Sequence, residues 1–510
     1  MASIPSINFS TFSNIINGET RSSSKVSHGI NPSTRKPLWD VPVATEDDVN
    51  EAVAAAKKAY PTWSRTPWSE RARLLTQAKE ALLARKDEMA HLIMQEGGKP
   101  IQFGALEVEH AVGFLNFHSN HPELETKVIH DDDDLKMTLR HVPIGVVAAI
   151  CPWNYPLVLA MGKIGAALVT GNCVITKPSP FTPYSVLKFT EIVKDIFPPG
   201  VIQVLNGDDK IGPLLCDHPD VDKISFTGSI ATGKRIMASA AKTLKRVTLE
   251  LGGNNASIIC PDVDIPYVAS QVALGSFFNS GQLCVASKRL YVHEDVYQEF
   301  LKALTEVVKS WKVSSSTPEA GNMLGPVQNE MQYNIVKQFF LDAHNNGYKF
   351  ALGSADVRDE EGFVINPAII DNPPDHSKIV TEEPFGKLHI YPPYLSIIRE
   401  VSDTKAGPIV PVLSWKTEEE VIRRANDTNT GLGGAVWSSD LDRANRIADQ
   451  IEAGTIWINS FEKPHPLGYL AGHKESGIGG EWGTAGLLSY CNTKVIHYYK
   501  NSVAPGKAGK

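Results

Sequence analysis

The sequence predicts an α/β fold built on parallel sheets, on three observations. From Gly145 onward, short apolar runs alternate with helix-sized stretches: IGVVAAI, NCVITK, VIQVLN, DKISFT and RVTLE. The runs are continuous in their apolar character, which implies strands covered on both faces, as parallel βαβ units require. At 510 residues, with 42% hydrophobic and 21% charged side chains, the chain has the length and ordinary composition for two or three buried cores.

Taken in order, the first third reads as helices. In TEDDVNEAVAAAKKAY, Thr45 stands as an N-cap with Asp48 three residues later, and Val49, Ala52, Val53, Ala56 and Tyr60 recur at helical spacing. A second helix is predicted from about Ser69 to a stop at Gly97-Gly98. The tract DDDD at 131–134 reads as a solvated turn. Ligands of covered parallel sheets bind beyond the carboxyl ends of the strands. The informative residues therefore follow each apolar run: CPWNYP, KPSPFTP, GDDKIG, GSIATG and ELGGNN. A second αβ portion begins near Gly252 and includes FFNSGQLCVASKRLYVHE.

The bulk properties narrow the partners. A net charge of -7 without a basic block argues against nucleic acid, and no apolar run approaches the length that crosses a bilayer. The six cysteines are scattered, with no C-x-x-C, so neither a disulfide framework nor a metal site is expected. No targeting pattern is legible at either end. The expectation is a cytoplasmic protein acting on a small molecule.

Several residues after the runs are chemically suggestive, each with an ordinary alternative. Cys284, in NSGQLCVAS, sits among small residues that allow close approach; it reads as a nucleophile or as an inert core thiol. Glu250 ends an apolar run before Leu251-Gly252-Gly253 and reads as a general base or a strand-end charge. Asn154, held between two prolines in PWNYP, suits an oxyanion donor, though such turns are common. GSIATG at a strand-to-helix junction suits a phosphate or a plain Ser cap.

Together, PWNYP, KPSP, FTGS, LELGG, GQLC and EEPFG stand in the order and spacing of the aldehyde dehydrogenase superfamily, and the likeness spans about 17–499. The resemblance implies an aldehyde dehydrogenase-like fold: a Rossmann-like cofactor domain (8–121 and 143–251), a second α/β catalytic domain (252–457), an oligomerisation arm (122–142 and 486–500), and a passage at 458–485 returning to the cofactor and substrate region. It implies oxidation of an aldehyde to the acid with NAD, or NADP, in a homodimer or homotetramer. Cys284 would be the nucleophile, Asn154 the oxyanion donor, Glu250 the base that activates water, and Lys163 a support near that glutamate. Trp153, Lys177, Gly228, Ser229, Gly233, Glu383 and Phe385 would hold the cofactor, and Tyr155, Leu283 and Val285 would line the substrate pocket. Two positions depart from the family pattern. Pro180 replaces a glutamate that chelates the adenosine ribose, which leaves NADP open, and Leu470-Ala471 replace Phe-Gly. The rival readings are an impaired family member and a cofactor-independent ester hydrolase.

One passage interrupts the pattern. Removing 387–407, 21 residues, leaves EEPFGPIVPVLSW, an unbroken motif running into its strand. Gly386-Lys387 can be encoded with a splice-donor sequence and Ala406-Gly407 with a terminal AG. The stretch is read as a retained intron or a misassigned gene segment, with a genuine surface loop as the alternative. Lying directly after Glu383 and Phe385, it is expected to loosen the cofactor clamp.

Overall fold

The structure, a computed structural model, describes residues 7–313, 321–357, 361–382, 407–461, 463 and 465–500. Eight strands form the first sheet, in the order Glu19–Arg21, Asn14–Ile16, Ile202–Val204, Cys173–Lys177, Val146–Ile150, Lys223–Thr227, Arg246–Glu250 and Gly477–Ile478. The five central strands pair in parallel. Both edges are antiparallel: Asn14–Ile16 with its neighbours on one side, Gly477–Ile478 on the other. VVAAI, CVITK and KISFT are buried at every position, because helices cover both faces. The helix Pro156–Val169 packs among them, buried from Pro156 to Val169 except at Leu159.

The N-terminal helices lie over this sheet. Glu46–Trp63 begins at a capping box in which Thr45 Oγ1 accepts from the Asp48 N–H, and the Asp48 carboxylate accepts from the Thr45 N–H. The single helix expected from Ser69 to Gly97 is in fact two, Trp68–Leu83 and Lys86–Gly97, broken at Ala84-Arg85. No glycine or proline marks the break. Burial imposes it, since Leu82 at the end of one segment and Met89 in the next both enter the core. Gly98, at φ 71°, ends the second segment.

The second sheet has seven strands, in the order Lys349–Leu352, Ala368–Asp371, Ile409–Trp415, Ser287–His293, Asn255–Ile259, Gly433–Trp437 and Thr455–Ile458. All pairings are parallel except that of Lys349–Leu352. A third sheet joins Lys127–Asp131, Leu135–Pro143 and Cys491–Tyr499 antiparallel. The acidic tract forms its exposed turn, where Asp132 Oδ1 accepts from the Asp134 and Leu135 N–H groups. None of the described helices is long and apolar enough to cross a membrane, and no group of described residues could hold a metal ion. All six cysteines are free.

Candidate active site

Two cavities meet at Thr227, the last residue of the Lys223–Thr227 strand. The first, about 470 Å3, is lined by Asn154, Glu250 and Cys284 and walled by apolar and aromatic side chains, Tyr155, Leu283 and Val285 among them. The second, about 530 Å3, is lined by Trp153, Lys177, Gly228 and Ser229.

Local backbone geometry delivers Cys284 to the first cavity. After the helix Ile265–Phe277, Asn279, Ser280 and Gly281 take left-handed φ values of 51°, 57° and 73°, which turns the chain sharply. Gly281 admits no side chain, since a Cβ would lie 2.5 Å from the Gly407 carbonyl oxygen. Lys288 Nζ holds the Gly281 carbonyl at 2.6 Å, and Asn255 Nδ2 donates to the Cys284 and Ala286 carbonyls, each at 2.8 Å. The half-buried thiol thus stands on a pinned backbone. Asn154, in the turn before Pro156–Val169, donates one amide hydrogen to the Gln282 carbonyl at 3.0 Å. Its second amide hydrogen is available to a ligand.

Glu250 ends the Arg246–Glu250 strand and is 4% exposed. Neither carboxyl oxygen makes a hydrogen bond of regular geometry among the described residues. Burial raises its pKa well above the usual carboxylate range, the Glu481 charge adds to the rise, and the Lys163 ammonium and the Glu481 backbone N–H oppose it. Lys163 is fully buried. Its Nζ contacts Glu481 Oε1 at 2.5 Å, Thr227 Oγ1 at 2.9 Å and Ser225 Oγ at 3.2 Å. The structure therefore pairs Lys163 with Glu481, and its influence on Glu250 is electrostatic.

Glu481 is the residue that motif reading missed. It lines the first cavity, is 3% exposed, and also accepts a short hydrogen bond from Ser225 Oγ. A fully buried lysine is often balanced by a carboxylate, but nothing local in GGEWG identifies this one.

In the second cavity, the Ser229 hydroxyl accepts from the Thr232 N–H at 3.1 Å and caps the helix Ile230–Ala240, whose N-terminus opens beside the cleft. Gly228 N–H donates to the Glu250 carbonyl at 3.0 Å, tying the cleft to the strand end that carries Glu250. An open helix N-terminus, a lysine and apolar flanks such as Pro152 and Ile236 suit a dinucleotide, with phosphate at the helix end and an apolar surface for the adenine. Gly233 does not line this cleft. It lies against Leu251, whose side chain a Cβ would meet at 2.7 Å, and so serves helix-to-strand packing. Pro180 lines the cleft. Glu383 and Phe385 lie outside the described residues.

Known proteins resemble this chain in sequence and fold. The model of the aldehyde dehydrogenase family matches residues 19–399 and 399–496, its two parts meeting inside the 387–407 stretch. Aldehyde dehydrogenase LUC3 of Fusarium is 40% identical over 97% of this chain and 100% of its own length. The chloroplastic betaine aldehyde dehydrogenase of Amaranthus hypochondriacus is 37% identical over 92% of this chain and 91% of its own. Among solved structures, the NAD+ complex of aldehyde dehydrogenase from Bacillus cereus superposes with a TM-score of 0.89 at 31% identity, covering 96% of each chain.

Proposed function

The chain belongs to the aldehyde dehydrogenase family, and on that premise we propose that it oxidises an aldehyde to the carboxylic acid, with NAD as the oxidant. The observation that carries this reading is the convergence of Cys284, Asn154 and Glu250 on one cavity that meets a dinucleotide-shaped cleft at Thr227.

In the proposed sequence, Cys284 Sγ loses its proton, for which the ionised form of Glu250 is one acceptor and solvent the other, and attacks the aldehyde carbon. The carbonyl oxygen becomes an oxyanion, received by the free Asn154 amide hydrogen and the Cys284 backbone N–H. One such preorganised donor contributes about 3 kcal/mol to the transition state. Lys177 and the Ser229 helix end would hold NAD, which when bound would accept the hydride; the carbon left on Cys284 is then a thioester. The ionised form of Glu250, any proton taken from Cys284 having passed to solvent, takes a proton from water as the water attacks this thioester, and the Cys284 thiolate leaves. Lys163 acts through Glu481 as a positioning residue.

Rapid-mixing kinetics with an aldehyde panel test the assignment. Cys284→Ala is expected to form no NADH; Glu250→Gln is expected to give a burst of NADH near one equivalent and then stall, at least about 100-fold down in turnover. Steady-state turnover at the parent rate in either variant would sink it. The absence of a carboxylate at Pro180 supports NADP as a second cofactor, checked by comparing kcat/KM for the two.

The same premise bears on 387–407. The break of the family match at 399 supports reading this stretch as foreign to the mature enzyme, and transcripts that uniformly retain it would defeat that reading. Six free cysteines support a reducing compartment such as the cytoplasm, which imaging of the tagged chain checks.

A further inference from the structure

The first cavity carries an electrostatic pattern that selects among aldehydes, and the argument rests on the oxidation reading above. Its carboxylates are either spoken for or deep. Glu107 is ion-paired with Lys99 and also accepts from the Leu157 and Val158 N–H groups, at 3.0 and 3.4 Å. Glu250 and Glu481 lie on the floor, 4% and 3% exposed. At the opposite, solvent-exposed end, the described ionisable lining residues are Lys463 and His465.

The aromatic walls might be taken for a cage that holds an ammonium group, since a cation is attracted to a ring face. Here the protein's own cations already occupy such positions. Lys99 Nζ sits 3.5 Å from the Tyr155 ring centroid, and Lys463 Nζ sits 4.9 Å from that of Phe461. The Lys99 charge is balanced by Glu107, but its ammonium covers the Tyr155 face; a cationic substrate meets the Lys463 ammonium at the exposed end and no uncommitted carboxylate there among the described residues.

We propose that this cavity discriminates against positively charged aldehydes and favours an apolar chain bearing a carboxylate at its far end, with that carboxylate received at the rim by Lys463 and His465. The aldehyde end then reaches Cys284, and the apolar chain lies along the aromatic wall. In this the chain differs from its betaine aldehyde dehydrogenase relative, whose named substrate is a quaternary ammonium compound.

The test uses the full chain and three aldehydes of equal length: octanal, its analogue with a terminal carboxylate, and its analogue with a terminal trimethylammonium group. We expect kcat/KM to fall in the order carboxylate, octanal, ammonium, with about tenfold or more between the extremes, the effect of a single charge contact at a partly solvated rim. In Lys463→Glu the carboxylate-to-octanal ratio is expected to drop about tenfold. An ammonium analogue used as well as the carboxylate, or a ratio unmoved in Lys463→Glu, overturns the proposal. Turnover of octanal reports separately on the oxidation reading. Should no aldehyde be oxidised, calorimetric Kd values for the three corresponding acids decide the same point: tightest binding of the dicarboxylate sustains the proposal, and tightest binding of the trimethylammonium acid overturns it.

Discussion

Glu250, the base of the proposed mechanism, sits where the protonated form is favoured. Burial raises its pKa well above the usual carboxylate range, and the Glu481 charge raises it further. The form able to accept a proton from water grows as pH rises toward that raised pKa. Where thioester hydrolysis limits turnover, kcat is therefore expected to climb as pH rises above the range in which an ordinary carboxylate titrates, and Glu250→Gln is expected to flatten the climb. A kcat that is constant over that range in the parent enzyme would remove Glu250 from the role. Cys284, Asn154 and Glu250 were each legible from motif spacing because each follows a strand or turn that announces itself. Glu481 was not, because its importance comes from Lys163, which lies 318 residues earlier. A pairing at that separation leaves no local pattern.

Among the elements, the helix Tyr184–Val193 shows how a buried charge is managed. Its first two N–H groups, on Tyr184 and Ser185, donate to the Glu96 carboxyl at 2.8 and 3.2 Å. Burial nonetheless pushes the Glu96 pKa up to about 8, from 4.5 in an unstructured chain. Between those two values the unfolded form has released a proton that the folded form retains, so this group's contribution to stability falls as pH rises. Glu96→Gln, which cannot ionise but keeps one acceptor oxygen, is expected to be about 1 kcal/mol less stable near pH 5. Its deficit should shrink or reverse near pH 8, as read by urea denaturation at both pH values; a pH-independent deficit would contradict the assignment. Helix termini set by side-chain chemistry, such as Thr45 with Asp48, could be read from sequence. The break at Ala84-Arg85 could not, because packing imposes it where the local sequence would continue the helix.

For the whole molecule, the two large sheets carry the candidate site, and the three-stranded sheet is left with exposed apolar side chains along its edge strands. Val128, Ile129, Val495, Tyr498 and Tyr499 are 42–58% exposed, on strands that form the edges of that sheet. Long apolar edges of this kind recruit further chains. We expect self-association through this sheet into a dimer or tetramer, and Val495→Lys with Tyr499→Lys should lower the mass measured by light scattering. A monomeric parent protein would rule this out. The parallel sheets were legible because covered strands are continuously apolar. Whether another copy covers the third sheet was not, since alternation along an edge strand looks the same whether its partner is solvent or protein.

The late arrival of Glu481 has a further consequence, for synthesis on the ribosome. The Lys223–Thr227 and Arg246–Glu250 strands and the Lys163 helix emerge long before residues 477–481, which supply both an edge strand and the carboxylate for Lys163. Until then a lysine destined for complete burial has no counter-charge, a state that costs several kcal/mol. The first sheet and the surroundings of Glu250 are therefore expected to reach their final packing only once residues 477–481 have been made. A chain released before that point would carry Cys284 without the carboxylate that pairs with Lys163.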